Sequence, residues 1–193
     1  MAKRVFFSFH YQDVVDFRAN VVRNHWLTKP DRQEAGFFDA SIWESAKRTG
    51  SMALKRLIND GLENTSNTCV LLGSETYARP WVRYELLKSF RRSNHLFGVH
   101  INGIRSKDDT TKPLGPNPFE YVGVTYSADG STGTLWERVN GKWVEYSEIG
   151  GSASFSTVVE RRFWGQGFNL AAWYRAYDWI KDSGYDSFAT WVK

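Results

Sequence analysis

The chain has 193 residues, of which 41% are hydrophobic, and a formal net charge of +4. This length and composition favour one globular α/β domain and show no signature of disorder. The charge is spread along the chain without a long basic run, so no nucleic-acid partner is expected.

The sequence also indicates where the protein works. Strand-forming residues begin at Lys3, which leaves no room for a signal peptide, and no apolar stretch has membrane length. We therefore expect a cytoplasmic protein without a membrane partner. Cys69 is the only cysteine, which excludes an intramolecular disulfide. It lies in a run typical of a buried strand, where a small hydrophobe is favoured over a nucleophile.

The first half alternates predicted strands with predicted helices. Apolar runs of strand length cover residues 5–9, 36–39, 68–72 and 96–101. Helical patterns follow Asp13, with a stripe of Val14, Phe17 and Val21, and then cover 51–62 and 80–91. The polar stretch 40–50 is predicted to be a loop. This order predicts a parallel sheet with right-handed crossovers.

The second half departs from this alternation. Two strand-like runs flank Asn140-Gly141, a strong β-hairpin signal because both positions tolerate positive φ. An amphipathic helix is predicted before Gly184 from Leu170, Trp173, Tyr177 and Ile180. We expect a single domain over 1–193, with a core over about 1–110 and an elaboration over about 111–193 that is too short for a core of its own.

Three predicted strand ends carry polar or aromatic residues, and ligands of open parallel sheets bind beyond such ends. These ends are Ser8-Phe9-His10, Asp39-Ala40-Ser41 and Gly73-Ser74-Glu75. Each candidate has an alternative role. Ser8 can bond the backbone at a strand end, His10 can face solvent, and Asp39, a candidate for a ribose hydroxyl, can cap the next segment.

Trp81 and Glu85 are the strongest candidates. Pro80 suits the first turn of a helix, and residues four apart share a helical face. A flat ring beside a carboxylate can hold a nucleotide base and stabilise a developing cation. Partial desolvation would raise the pKa of Glu85, and a nearby cation would lower it. The alternative, which spacing alone favours, is a surface acid paired with Lys88 or Arg79.

Other chemistries are disfavoured. No His, Cys or Asp spacing resembles a metal site, and no glycine-rich phosphate loop follows the first strand. A redox dehydrogenase or an NTPase is therefore not expected. Trp43 is a candidate for a ring that closes over a ligand, and packing on the domain's own surface is an equal alternative.

The motifs resemble TIR domains. The resemblance rests on the opening segment 3–11, the order of elements and the Trp81-x-x-x-Glu85 helix. More closely, segments 37–41, 81–85, 115–119 and 177–179 resemble the ThsB subunits of bacterial Thoeris anti-phage systems, over nearly the whole chain. The resemblance implies a flavodoxin-like parallel sheet flanked by helices, with an added β-hairpin and C-terminal helix.

The resemblance also implies a function. ThsB-like proteins would consume NAD⁺ as substrate, without a further cofactor, after an unknown phage trigger. The product would be a cyclic ADP-ribose isomer that activates a separate ThsA-type effector. The resemblance makes Glu85 the catalytic acid and Trp81 the base-stacking ring, and it places Phe6 and Ser8 beside the nucleotide. Residues 40–50 would be the mobile BB loop.

One departure concerns the phosphates. Many TIR enzymes carry Arg or Lys after the first strand, where this chain has His10-Tyr11. Two other functions stay open: plain NAD⁺ hydrolysis with water as acceptor, and a non-catalytic adaptor that acts through TIR–TIR contacts or self-association. The residues do not indicate which hydroxyl would close the ring.

Overall fold

The computed structural model describes residues 3–38, 40–150, 152–155 and 158–193. The first half holds strands β1 (Lys3–Ser8), β2 (Arg32–Ala35), β3 (Asn67–Leu72) and β4 (His95–His100), with helices α1 (Tyr11–Val15), α2 (Arg18–Leu27), α3 (Ala40–Thr49), α4 (Ser51–Leu62) and α5 (Pro80–Arg91). The second half holds β5 (Val122–Tyr126), β6 (Thr132–Val139), β7 (Lys142–Glu145), β8 (Ala153–Ser154), β9 (Gly167–Asn169), β10 (Ala176–Asp178) and α6 (Gly184–Trp191). Within the described segments, no helix is both long and apolar enough to cross a membrane.

The first sheet is parallel, with the order β10-β4-β3-β1-β2. This order confirms the flavodoxin-like α/β fold. Helices cover the sheet on both faces, and every residue of β3 is buried, which explains why its sequence is a continuous run without alternation. Ser8 at the end of β1 pairs with Val70 of β3, so the carboxyl ends of these strands lie side by side.

The second sheet is antiparallel, with the order β7-β6-β5-β9 and β8 also paired to β6. Asn140 and Gly141 both have positive φ, 49° and 80°, which confirms the predicted hairpin. The predicted hairpin, β6–β7, is part of this larger antiparallel sheet. The sheet shares one hydrophobic cluster with α5, in which Leu86 of the helix and Val124 of β5 are both buried. Helix α5 therefore packs between the two sheets.

The prediction of a helix over 170–180 was wrong. Residues Leu170–Ala172 form one 3-10 turn, Ala176–Asp178 form strand β10, and α6 begins at Gly184 instead of ending before it. Two of the apolar residues that suggested this helix, Leu170 and Tyr177, pack in the core without forming one. Tyr177 stacks on Trp191, with 4.1 Å between the ring centroids. Because β10 is the edge strand next to β4, the parallel sheet takes a strand from beyond residue 110.

The prediction of one helix after Asp13, with a stripe of Val14, Phe17 and Val21, was also wrong. The backbone breaks at Phe17, which has φ 66° and is 53% exposed. Helix α2 begins at Arg18, whose buried guanidinium donates to the carbonyls of Ile104 and Thr110. Of the predicted stripe, Val14 and Val21 do pack against the core, and only Phe17 faces solvent.

Two further predictions near β2 were wrong, namely a strand that begins at Gly36 and a loop over 40–50. The strand ends at Ala35, and Gly36 (φ 89°) turns the chain out of the sheet. A Cβ on Gly36 would lie 2.2 Å from the Phe7 carbonyl oxygen, so only glycine fits this approach. Residues Ala40–Thr49 form helix α3, where a loop was predicted, because their few apolar side chains hide the helical pattern.

Candidate active site

A cavity of about 280 Å³ opens beyond the carboxyl end of β1, against α3 and the start of α5. Six Phe, Tyr and Trp residues line it, namely Phe7, Phe9, Tyr11, Phe38, Trp43 and Trp81, of which Phe7 has its ring packed against Phe37 and Phe188 in the core. Five ionisable side chains also face it, from His10, Glu44, Lys47, Arg79 and Glu85. Rings with a few convergent charged groups are typical of small-molecule sites.

Glu85 is the most buried ionisable group of the cavity, with 6% of its surface exposed. The Ser8 hydroxyl donates a hydrogen bond to its Oε2 at 2.5 Å. Burial raises the pKa of Glu85 to about 8, and the hydrogen bond from Ser8 opposes this rise. In the free protein at neutral pH the carboxyl therefore holds a proton, which a nearby cation can displace.

Trp81 lies one helical turn from Glu85 on α5 and lines the same cavity. Its ring is half-buried and meets Tyr84 edge-on, with 6.0 Å between centroids. Pro80 at the first helical position fixes where this turn begins. The structure therefore places an indole and a buried acid on one wall, as the helical spacing predicted.

Trp43 reaches the cavity from helix α3. Its ring stacks on Phe38, with centroids 6.1 Å apart and planes 16° from parallel. Both rings are half-buried and pack against the hydrophobic cluster that α5 shares. The cover of the cavity is thus a helix with a stacked aromatic pair, in place of the predicted BB-like loop.

The structure gives a different outcome for each of three other predicted site residues, His10, Phe6 and Asp39. His10 lines the cavity, and burial followed by the Arg79 charge lowers the pKa of its imidazole. Phe6 does not reach the cavity, because its side chain is fully buried in the core beside Gly61. Asp39 lies outside the described residues.

Two cations on the wall were not predicted. Arg79 has a buried Nε without a partner among the described residues, and its Nη2 lies 3.6 Å from Glu75. Lys47 is 63% exposed and lies 3.8 Å from Glu44. A helical reading of 40–49 would have revealed Lys47, because it stands four residues from Trp43 on the same face.

Two buried groups lie away from the cavity. Asp13 packs against Gly73, where a Cβ would approach its Oδ2 to 2.2 Å, and burial raises its pKa to about 6. Cys69 is fully buried in β3, and burial raises its thiol pKa, which disfavours a nucleophile. In the described part of the chain, no three His, Cys, Asp or Glu side chains meet as a metal site would require.

The parallel sheet in flavodoxin-like order, with a tryptophan and a buried glutamate on the helix after β3, defines a TIR-like protein. A family model described as "Thoeris protein ThsB, TIR-like domain" matches residues 6–106. A protein of Bacillus cereus (strain MSX-D12), named "Putative cyclic ADP-D-ribose synthase ThsB1", is 53% identical over 192 residues, which is 100% of both chains. The chain therefore belongs to the ThsB family of TIR-like proteins.

Proposed function

We propose that this protein cleaves NAD⁺ at the nicotinamide–ribose bond and closes the ADP-ribose product into a cyclic isomer. The observation that carries the proposal is the buried Glu85. It accepts a hydrogen bond from Ser8 and lines the aromatic cavity together with Trp81. The name of the Bacillus cereus relative, a cyclic ADP-D-ribose synthase, supports the same reaction.

The charge of Glu85 suits the cleavage step. NAD⁺ brings a cationic pyridinium, which would lower the raised pKa of Glu85 and ionise it as substrate binds. The C–N bond then breaks with its electron pair on the nicotinamide nitrogen, and positive charge develops on the ribose. A carboxylate about 4 Å away stabilises that charge by on the order of 4 kcal/mol at an effective dielectric near 20, or roughly a thousandfold in rate.

Cyclisation requires an internal hydroxyl to reach the ribose cation before water does. The hydroxyl oxygen forms a bond to the anomeric carbon and loses its proton to solvent, so the products are cyclic ADP-ribose, neutral nicotinamide and a proton. The aromatic walls and the Phe38–Trp43 pair would limit the access of water to the cavity. These features favour the cyclase over the plain hydrolase.

The diphosphate of NAD⁺ would meet Arg79 and Lys47. Both side chains line the same cavity as Glu85, and the buried Nε of Arg79 has a free donor among the described residues. Guanidinium groups suit phosphate oxygens because their donors form a planar fork. These two cations would take the place of the Arg or Lys that many TIR enzymes carry after the first strand.

The cyclic product would activate a ThsA-type effector after a phage trigger. Small-molecule filtrate from infected cells that express this protein should activate such an effector in a reconstituted assay. Filtrate from cells with the Glu85→Gln variant should not. Equal activation by both filtrates would refute the role of Glu85, and activation that needs the protein itself would favour the adaptor.

A further inference from the structure

A second cavity, of about 300 Å³, lies on the other side of Trp81. Trp81 lines both cavities, so its ring forms part of the wall between them. The floor of the second cavity comes from the starts of α4 and α5, through Ser51 and Pro80. Its far side comes from the antiparallel sheet and the residues that follow β7, namely Glu137, Tyr146 and Glu148.

The second cavity has the chemistry of a nucleoside site. Three aromatic residues line it, and of these Trp81 is the one that is only half-buried and can offer its ring to a base. Its charged groups are the carboxylates of Glu137 and Glu148, which accept hydrogen bonds from the hydroxyls of a ribose. Two carboxylates disfavour a phosphate in the same space.

These side chains are held in place by groups from neighbouring elements. Arg83 Nη1 donates to Glu137 Oε2 at 2.9 Å, and Lys55 Nζ lies 2.6 Å from Glu148 Oε2. Burial, followed by the two nearby carboxylates, raises the pKa of Tyr146, so its hydroxyl stays protonated and can donate. Each carboxylate keeps a second oxygen for a ligand.

The two cavities are similar in volume, at about 280 Å³ and about 300 Å³. The first cavity, at about 280 Å³, lies just below the usual range of roughly 300–1,000 Å³ for small-molecule sites, which leaves little room for a whole dinucleotide. Arg79 immediately precedes Pro80 and lines the first cavity. If the nicotinamide riboside lies at Glu85 and the diphosphate at Arg79, the adenosine half would reach the second cavity past Trp81, which lines both cavities.

We propose that the cavity between Trp81 and Tyr146 is the subsite for the adenosine half of the substrate. This inference rests on NAD⁺ being the substrate. It assigns part of the binding site to residues beyond the 6–106 segment that the family model matches. The antiparallel sheet then acts in substrate binding as well as in covering α5.

The first test measures binding of adenosine monophosphate by titration calorimetry to the full-length protein. Tyr146→Phe and Glu148→Gln should each weaken binding about fivefold, the typical effect of one hydrogen bond. Tyr185→Phe and Glu120→Gln, two exposed positions outside both cavities, are the matched controls and should bind as the wild type does. Ser51→Phe, at an exposed helix start, should fill the cavity and abolish binding.

The second test compares cleavage of NAD⁺ with cleavage of nicotinamide mononucleotide, which lacks the adenosine half. The Tyr146 and Glu148 variants should lower kcat/KM for NAD⁺ about fivefold and leave the mononucleotide unchanged. An equal loss on both substrates, or monophosphate binding that is insensitive to all three variants, overturns the subsite. Binding that depends on Tyr146 without any cleavage of NAD⁺ supports the subsite and refutes the proposed function instead.

Discussion

Glu85 combines two properties that oppose each other until substrate is present. Its burial favours the neutral acid, with a pKa of about 8, and its proposed role requires the carboxylate. A cationic substrate would reconcile them, because its charge would lower the pKa of Glu85 and ionise the group when substrate binds. The helical spacing predicted that Glu85 and Trp81 share a face, but the contact with Ser8, 77 residues away in sequence, follows only from the fold.

The raised pKa predicts a pH-dependent stability. The pKa of Glu85 is raised from 4.5 to about 8, so the neutral buried acid stabilises the fold at low pH and this contribution is lost as pH rises towards 8. Glu85→Gln cannot titrate. The melting temperature of the wild type relative to this variant should therefore fall by several degrees between about pH 4.5 and 8. A difference that stays constant over this range, in calorimetric scans, would contradict the burial of the acid.

Trp81 gives a second prediction at this scale. If its ring stacks on a substrate base, Trp81→Ala should raise KM for NAD⁺ by roughly five- to a hundredfold, because stacking contributes about 1–3 kcal/mol. Trp81→Phe should keep part of the affinity. The melting temperature separates this role from packing, since Trp81 also contacts the shared hydrophobic cluster. A folded Ala variant with wild-type kinetics would refute both roles.

The elements show where sequence patterns suffice and where they fail. Helix α5, strands β1, β3 and β4, and the β6–β7 hairpin follow from apolar runs, Pro80 and the Asn140-Gly141 turn, all of which are local signals. Strand β10 could not be predicted, because Ala176–Asp178 is short and is a strand only through pairing with β4. Helix α3 was missed because a polar helix and a polar loop have similar composition.

Helix α3 carries a prediction about the product. Trp43 and Phe38 stack over the cavity and are proposed to exclude water. Trp43→Ala should then shift the products from cyclic towards linear ADP-ribose by several-fold, since water gains access to the ribose cation. Trp43→Phe should restore most of the cyclic product. Chromatography of the two products gives this ratio. An unchanged ratio in a folded Ala variant would show that α3 does not shield the cavity from water.

At the scale of the molecule, the two sheets depend on each other. The antiparallel sheet buries Val124 and Leu135 against α5, and the parallel sheet takes its edge strand β10 from the same half of the chain. Helix α6 adds Phe188 and Trp191 to the cluster on the opposite face. From the sequence we expected a core over about 1–110 with an added elaboration. The shared hydrophobic cluster and the pairing of β10 with β4 join residues far apart in the chain, so no local sequence pattern reveals them.

This interdependence predicts the behaviour of a truncated chain. A fragment of residues 1–110 would expose the outer face of α5 and the edge of β4, so it should aggregate or lack a cooperative unfolding transition. The full chain should unfold in one transition, as expected for a shared core. Calorimetry of both proteins checks this. A fragment that unfolds cooperatively near the melting temperature of the full chain would show that the halves are independent.

The central claim is that Glu85 drives conversion of NAD⁺ into a cyclic signal. The most direct measurement is mass spectrometry of nucleotides in lysates of phage-infected cells that express the wild type or Glu85→Gln at equal levels. The wild type should yield nicotinamide and a cyclic ADP-ribose isomer, and the variant should yield roughly a hundred- to a thousandfold less, the usual loss for one electrostatic stabiliser. Only linear ADP-ribose from the wild type, or more than half the product from the folded variant, would contradict the claim.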